Sequence, residues 1–131
     1  MIVRELIGGP VDTCTSDLDL AKAAREMLSA DVGSLAVIRD NELIGIVTER
    51  DLLKVVADGR SPRKTTVDDV MTPAPDSLGP EVEIEDAADW MMAAGYRHLP
   101  IVDSGQLIGI ISIKDVLWAL TEQRVEPGEP R

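Results

Sequence analysis

The sequence has few of the side chains that form disulfides, bind zinc or stack on bases. Its 131 residues include one cysteine, Cys14, one histidine, His98, and three aromatic side chains. One cysteine excludes a disulfide framework, and one Cys with one His argues against a structural zinc site. Because aromatic side chains are scarce, binding of single-stranded nucleic acid by base stacking is disfavoured. We expect an aliphatic core, and we interpret Cys14 as an inert thiol.

Basic residues are also in short supply. The chain has 24 acidic and 13 basic residues, which gives a formal net charge of −11. An acidic surface repels phosphate backbones and anionic lipids, so neither nucleic acid nor a membrane is expected as the main partner. No apolar run approaches the ~18 residues of a membrane span, and the N-terminus lacks a secretory apolar region. These absences predict a globular protein of the cytoplasm.

The chain repeats itself at an offset of 64 residues. Residues 3–55 align with 67–119 without a gap, and LIGIVTERD at 43–51 falls on LIGIISIKD at 107–115. An ungapped register of this length predicts an internal duplication rather than a chance likeness of amphipathic segments. The predicted units are a first copy at 1–57, a polar linker at 58–65, a second copy at 66–121 and a flexible C-terminal tail at 122–131.

The first helix of each copy is marked by an apolar stripe with helical spacing. We expect both stripes, with their methionines, to face the core. Asp19 is predicted to cap the first of these helices. The second is predicted to begin at Glu83 and to end at Gly95. The stripes comprise Leu20, Ala23, Ala24, Met27 and Leu28 in the first copy and Ile84, Ala87, Ala88, Met91 and Met92 in the second.

Two short apolar runs and a second helix complete each copy. Runs at 35–38 and 43–47 flank a polar stretch at 39–42, and runs at 99–102 and 107–111 flank another at 103–106. Both pairs predict a β-hairpin with a loop of about four residues. Each copy therefore reads helix–strand–strand–helix, an α/β unit too small to cover its own sheet. We expect the two copies to pack sheet to sheet with pseudo-two-fold symmetry.

The most specific motif is GIVTERD at 45–51, repeated as GIISIKD at 109–115. A hydroxyl followed three residues later by an acid, at a strand-to-helix junction, is typical of a capping box. The same residues also suit a ligand. The glycine allows close approach to the backbone, the helix N-terminus attracts an anion, and the carboxylate can accept hydrogen bonds from ribose hydroxyls. Both interpretations are open at this point.

The duplicated pattern resembles a tandem pair of CBS (cystathionine β-synthase-type) domains, a Bateman module. The two motifs just described carry the resemblance, together with YRHLPIVD at 96–103 and VMTP at 70–73. The resemblance covers about residues 1–121. It implies adenosine ligands in clefts between the copies: AMP, ADP, ATP or S-adenosylmethionine. With one His and one Cys in the chain, we expect no catalytic residue and no bound metal.

The resemblance also implies roles for particular residues. In such modules the acid contacts ribose and the Thr or Ser lies near phosphate, which indicates Asp51 with Thr48 in one cleft and Asp115 with Ser112 in the other. Basic residues before a strand meet phosphate, which indicates Arg97 and His98. Base-pocket candidates are Gly8, Val32, Gly33 and Ser34 for the Asp115 cleft, and Thr72 and Pro73 for the Asp51 cleft.

The copies differ at these positions, because Gly33 and Ser34 stand where the second copy has Arg97 and His98. We therefore expect the Asp115 cleft to bind phosphate better than the Asp51 cleft.

The expected function is a non-catalytic regulatory module. It would bind an adenine nucleotide and signal to a separate partner protein by a conformational change. We also expect a homodimer, with Trp118 at an interface. The alternative is a structural or interaction module with empty clefts that acts through dimerisation. An enzyme is disfavoured, because one His and one Cys leave little from which to build a nucleophile–base pair.

Overall fold

The computed structural model describes residues 1–122. Apart from its first residue, the predicted tail at 122–131 lies outside the described residues. Short 3-10 turns span Val3–Leu6 and Pro62–Lys64. The helices are α1 (Leu20–Ala30), α2 (Glu49–Ala57), α3 (Val67–Val70), α4 (Ile84–Ala94) and α5 (Ile113–Glu122). The strands are β1 (Thr13–Cys14), β2 (Ser34–Arg39), β3 (Glu42–Thr48), β4 (Thr72–Pro73), β5 (His98–Asp103) and β6 (Gln106–Ser112).

The duplication seen in the sequence extends to the backbone. Helices α1 and α4, strands β2 and β5, and strands β3 and β6 begin and end at the same offset of 64 residues. Each hairpin has an irregularity at the equivalent point, between Val37 and Ile38 and between Ile101 and Val102. The predicted helix–strand–strand–helix unit is confirmed in both copies.

The hairpin loops are tighter than the sequence predicted. In each copy the two paired strands continue into the predicted loop, and only two residues separate them. In the first copy, Arg39 pairs directly with Glu42. Asp40 and Asn41 at the first turn have φ angles of 52° and 65°. Left-handed angles at both central residues match the right-handed twist of the flanking strands, which favours a two-residue turn. The predicted four-residue loop is therefore wrong.

The first residues of each copy pack on the other copy. Val3 lies in the core of the second copy, and its N–H donates to the carbonyl of Val82 at 2.9 Å. In the same way Val67 lies in the core of the first copy, and its N–H donates to the carbonyl of Leu18 at 2.9 Å. The two copies are therefore interlocked by exchanged segments as well as packed against each other.

The sheets follow from this exchange. Four strands lie in the order β1-β2-β3-β4, in which β4, from the start of the second copy, pairs antiparallel with β3 of the first. Strands β5 and β6 form a second sheet, and Leu78 bridges in parallel to Ile101 as Cys14 pairs with Val37. Strands β3 and β6 also contact each other, so the copies meet along them.

Two members of the predicted core stripes are exposed. Leu28 is 82 % exposed and Met92 is 70 % exposed, whereas Leu20 and Met91 are fully buried. At 3.6 residues per turn, Leu28 lies about 80° around the helix from Leu20, at the edge of the stripe. The prediction that both residues are core residues is wrong, because each helix buries a face narrower than its apolar stripe.

The predicted helix ends are confirmed. The Asp19 side chain accepts a hydrogen bond from the N–H of Lys22 at 2.9 Å, and Gly95 ends α4 with a φ of 76°.

Cys14 is buried, and burial, with a smaller contribution from Glu26, raises the pKa of its thiol to about 11. That thiol stays protonated at neutral pH, as an inert cysteine should. Within residues 1–122, no helix combines the length and apolar character needed to cross a membrane.

Two clefts between the copies as a candidate functional site

Two cavities of similar size lie between the copies. The first, which we call the Asp51 cleft, has a volume of about 560 Å³, and the second, the Asp115 cleft, about 570 Å³. The Asp51 cleft is lined by Ile46, Thr48, Glu49, Arg50, Asp51, Lys54, Thr72, Ala74, Pro75, Asp76, Gly95, Tyr96, Arg97, His98, Leu99 and Pro100. The Asp115 cleft is lined by Ile7, Gly8, Gly9, Pro10, Val11, Asp12, Met27, Leu28, Asp31, Val32, Gly33, Ser34, Glu49, His98, Gly109, Ile110, Ser112, Lys114 and Asp115.

The structure brings most of the predicted site residues to these cavities. Thr48, Asp51 and Thr72 line the Asp51 cleft. Within the described part of the chain, Pro73 lines neither cavity; it follows Thr72 in β4 and pairs with Gly45. The residues predicted for the Asp115 cleft and found along it are Gly8, Val32, Gly33, Ser34, Ser112 and Asp115.

Of the basic pair, His98 lies at the cleft where the sequence placed it, but Arg97 does not. Arg97 lines the Asp51 cleft, and His98 lines both clefts. Each cleft combines the helix N-terminus of one copy with the first strand of the other, so Arg97 faces the helix that carries Asp51. The expectation that the Asp115 cleft holds the better phosphate-binding set is therefore wrong.

Further basic residues reinforce the Asp51 cleft. Arg50 and Lys54 lie one turn apart on α2 and line this cavity together with Arg97. Arg50 and Lys54 were not predicted from the sequence. Their signal was the i, i+4 spacing beside Asp51, which places them along one side of a helix. The cleft thus offers cationic groups near a helix N-terminus, a combination that attracts anions.

The repeated acids cap their helices, as the first interpretation of the motif predicted. Asp51 Oδ2 accepts from the Thr48 N–H at 2.8 Å and from Thr48 Oγ1 at 3.2 Å. Asp115 Oδ2 accepts from the Ser112 N–H at 3.1 Å, while the Asp115 N–H donates to Ser112 Oγ at 3.0 Å. Both bonds to Asp51 use Oδ2, so Oδ1 keeps its accepting lone pairs for a ligand hydroxyl. Capping and ligand binding are compatible here.

The motif glycines have a packing role. A Cβ on Gly45 would lie 2.5 Å from Met71 Sδ and 3.1 Å from the Thr72 carbonyl oxygen. A Cβ on Gly109 would lie 2.9 Å from Cγ1 of Ile7, the residue equivalent to Met71. The exchanged segments occupy the space that a side chain would need. The expectation that these glycines open the backbone to a ligand is therefore wrong for Gly45, which is in neither set of described cavity-lining residues. Gly109 does line the Asp115 cleft, with the Ile7 side chain packed beside it.

A shared wall separates the two cavities. Among the described residues, Glu49 and His98 line both clefts. A Cβ on Gly33 would lie 3.2 Å from both Glu49 Oε1 and His98 Nε2, so a larger residue there would press on this wall. Burial lowers the pKa of His98, against the opposing effect of the Glu49 and Asp115 carboxylates, and Arg97 lowers it further. The imidazole is therefore neutral at pH 7.

Tyr96 and Asp76 form another part of the Asp51 cleft that the sequence analysis did not identify. The Tyr96 hydroxyl donates to the Asp76 carboxylate, and this bond is the largest cause of the raised pKa of Tyr96. The Tyr96 ring also meets the Trp90 ring edge to face, with centroids 5.6 Å apart. These contacts fix the residue that precedes Arg97.

Comparison with known proteins identifies the family. The family model described as the CBS domain matches residues 3–58 and again 67–122. The chain therefore belongs to the CBS domain family, and it is a tandem CBS module. This confirms the resemblance that the duplicated motifs indicated.

Individual relatives agree with this assignment. An uncharacterised 17.7 kDa protein of Acidianus ambivalens is 41 % identical over 119 residues, which cover 87 % of this chain and 70 % of the relative. A solved structure of a CBS-domain protein from Burkholderia ambifaria MC40-6 is 29 % identical, with a TM-score of 0.89 over 98 % of this chain and all of the other. The structure of CBSX2 in complex with AMP is 27 % identical, with a TM-score of 0.77 over 95 % of this chain and 98 % of the other.

Proposed function

We propose that this module is a non-catalytic regulatory unit that binds an adenine nucleotide, with AMP as the simplest case, in the Asp51 cleft. The observation that carries the proposal is that Arg50, Lys54 and Arg97 line a cavity between the copies beside the α2 N-terminus. The related CBSX2 was solved as a complex with AMP, which supports the same ligand class here. ADP and ATP carry phosphate as AMP does, whereas S-adenosylmethionine is the member of the class without phosphate.

Each part of a nucleotide has a matching group in this cleft. The phosphate suits the guanidinium groups of Arg50 and Arg97, which form strong charge-assisted hydrogen bonds with phosphate oxygens. The ribose hydroxyls suit Asp51, whose Oδ1 is not used by the cap. The base would lie toward apolar and small residues such as Ile46 and Pro75.

Signalling would follow from where the ligand lies. A nucleotide in the Asp51 cleft contacts both copies. Its binding therefore favours the packing of the two copies that has the higher affinity for the nucleotide. A separate partner protein that binds one packing more tightly would then respond to nucleotide concentration.

The test must separate a ligand-binding acid from a cap, and the chain supplies a matched control. Asp69 Oδ2 accepts from the Thr66 N–H at 3.0 Å and from Thr66 Oγ1 at 3.2 Å, the same cap as at Asp51. Asp69 belongs to neither set of described cavity-lining residues. Asp51→Ala and Asp69→Ala should each cost about 0.5–2 kcal/mol of stability.

Thermal-shift and calorimetric titrations with AMP, ADP, ATP and S-adenosylmethionine would then distinguish them. At a hundred times its dissociation constant a ligand stabilises the wild type by about 2.7 kcal/mol. Asp69→Ala should keep the AMP response and Asp51→Ala should lose it. Asp51→Asn, which keeps an accepting oxygen for the cap, should weaken AMP with little loss of stability. An unchanged AMP affinity in Asp51→Ala would refute the proposal.

The structure also favours a second function, assembly through exposed apolar helix faces. Leu28 and Met92 are equivalent in the two copies, as are Leu53 and Leu117, and all four are exposed. A second copy of this chain would cover such side chains, and we propose a homodimer on this basis. The module could then act through dimerisation even with empty clefts.

Light scattering at micromolar concentration tests the dimer. The wild type should have the mass of two chains, and Leu53→Glu with Leu117→Glu should give a folded monomer. Glu26→Gln, on an exposed polar position of α1, is the control and should leave the mass unchanged. A monomeric wild type would contradict the homodimer.

A further inference from the structure

We propose that the two clefts select different ligands: the Asp51 cleft takes a phosphate-bearing nucleotide, and the Asp115 cleft takes an adenosine compound without phosphate, either uncharged or cationic. This inference rests on the proposed function, because it assumes that the clefts bind adenosine compounds.

The two clefts can be compared directly, because they are related by duplication. They differ by about 10 Å³ in volume, and each contains a helix N-terminus capped by an equivalent acid. The groups suited to ribose are thus present in both. Charge at the other equivalent positions is what distinguishes them.

Three exchanges at the 64-residue offset remove positive charge from the Asp115 cleft or add negative charge to it. Gly33 replaces Arg97. The position of Lys54 is held by the uncharged Trp118, which is not one of the described residues along the Asp115 cleft. Asp31 replaces Gly95. Each exchange lowers the attraction for an anion.

The charged residues along each cleft agree with this direction. Of the described residues, three bases and three acids line the Asp51 cleft. One base, Lys114, and four acids line the Asp115 cleft. Those acids are Asp12, Asp31, Glu49 and Asp115.

Charged groups grouped around one partly enclosed cavity repel a like charge more strongly than they would in bulk water. A phosphate is therefore disfavoured in the Asp115 cleft, and a neutral or cationic ligand is not.

His98 does not replace the missing bases. It faces both clefts and is surrounded by Glu49 from α2, Asp115 from α5 and its neighbour Arg97. Because burial and Arg97 together lower the pKa of His98, the imidazole is uncharged at pH 7 and offers a phosphate a neutral hydrogen bond.

The Asp115 cleft nevertheless has room for a nucleoside. Gly8 and Gly9 line it, and a Cβ on either would meet no atom within 4 Å. Both residues are exposed and carry no side chain, so an uncharged base or sugar can approach their backbone closely. The cleft therefore keeps the features that suit a nucleoside and lacks those that suit its phosphate.

The test compares AMP with adenosine, two probes that differ by the phosphate alone, in calorimetric titrations of the full chain in EDTA. Asp51→Ala isolates the Asp115 cleft, Asp115→Ala isolates the Asp51 cleft, and Asp69→Ala controls for the loss of a helix cap. We expect Asp115→Ala to bind AMP as the wild type does. We expect Asp51→Ala to bind adenosine at least about tenfold more tightly than AMP, which is the discrimination that one or two uncompensated charges provide.

A charge transplant tests the cause. Asp31→Gly and Gly33→Arg, made together in the Asp51→Ala background, reverse two of the three exchanges. Asp31 already has a left-handed φ of 55°, which glycine adopts readily. A Cβ at residue 33 would meet Glu49 Oε1 and His98 Nε2 at 3.2 Å, and both contacts are to side-chain ends rather than to backbone. AMP affinity should rise by about tenfold and adenosine affinity should stay constant.

The outcomes separate the two proposals. If the wild type binds neither AMP nor adenosine, the proposed function fails and this inference fails with it. If the wild type binds AMP but Asp51→Ala binds AMP as tightly as adenosine, the inference alone is overturned. The same follows if Asp51→Ala binds ATP tightly once magnesium is added, since the cation would then supply the missing charge.

Discussion

Replacing the motif glycine of the first copy tests how the exchanged segments are held. Gly45→Ala would place a Cβ 2.5 Å from Met71 Sδ, 3.1 Å from Met71 Cγ and 3.1 Å from the Thr72 carbonyl oxygen. The Met71 side chain can turn away, but the carbonyl belongs to β4, which is paired with β3. We therefore expect the substitution to push β4 off the edge of the four-stranded sheet.

The expected magnitude follows from two opposing effects. Overpacking of this kind costs about 1–3 kcal/mol. Alanine also restricts the unfolded chain, which stabilises the protein by about 0.4–1 kcal/mol where the backbone conformation allows it. The net loss should be about 0.5–2 kcal/mol, or several degrees in the midpoint of thermal unfolding for a chain of this size. Gly79→Ala is the control, because a Cβ there would meet no atom within 4 Å.

Urea unfolding followed by circular dichroism measures these differences, and a double-mutant cycle identifies their source. Met71→Ala removes the nearest atoms, so Gly45→Ala should cost less in the Met71→Ala background than in the wild type. Additivity within about 0.5 kcal/mol would show that Met71 does not cause the loss. If Gly45→Ala changes the free energy of unfolding no more than Gly79→Ala does, the packing role is refuted.

Two further predictions test burial. Because the pKa of His98 is lowered from its ordinary value of 6.5, the unfolded chain takes up its proton first as the pH falls, and the free energy of unfolding should decrease below about pH 6.5. His98→Gln should reduce the difference between urea unfolding at pH 7.5 and pH 5, and an equal difference in both proteins would contradict the buried neutral imidazole. Leu20→Ala should lower the free energy of unfolding by about 2–5 kcal/mol, and Leu28→Ala should lower it by less than about 0.5 kcal/mol in the same assay. The reason is that Leu20 is fully buried and Leu28 is 82 % exposed. Similar losses for both variants would show that the helix buries a wider face.

Local features were predictable because local chemistry produces them. The Asp19 cap, the left-handed Gly95 and the repeated motif acids depend on hydrogen bonds or angles within a few residues. The exposure of Leu28 was not predictable in this way, because helical spacing gives the direction of an apolar face and not its width. The hairpin loop was missed for a related reason, since strand twist selected the two-residue turn at Asp40 and Asn41.

The sequence by itself determined the duplication, the order of helices and strands, and the acids at the helix N-termini, since each is carried by spacing or by neighbouring residues. The tertiary structure alone decided which residues share a cleft. Each copy's opening segment crosses to the other copy, and each cleft joins a helix of one copy to a strand of the other, so Arg97 lies with Asp51 and not with Asp115. Such partners are far apart in sequence, and only the packing of the whole chain brings their charges together.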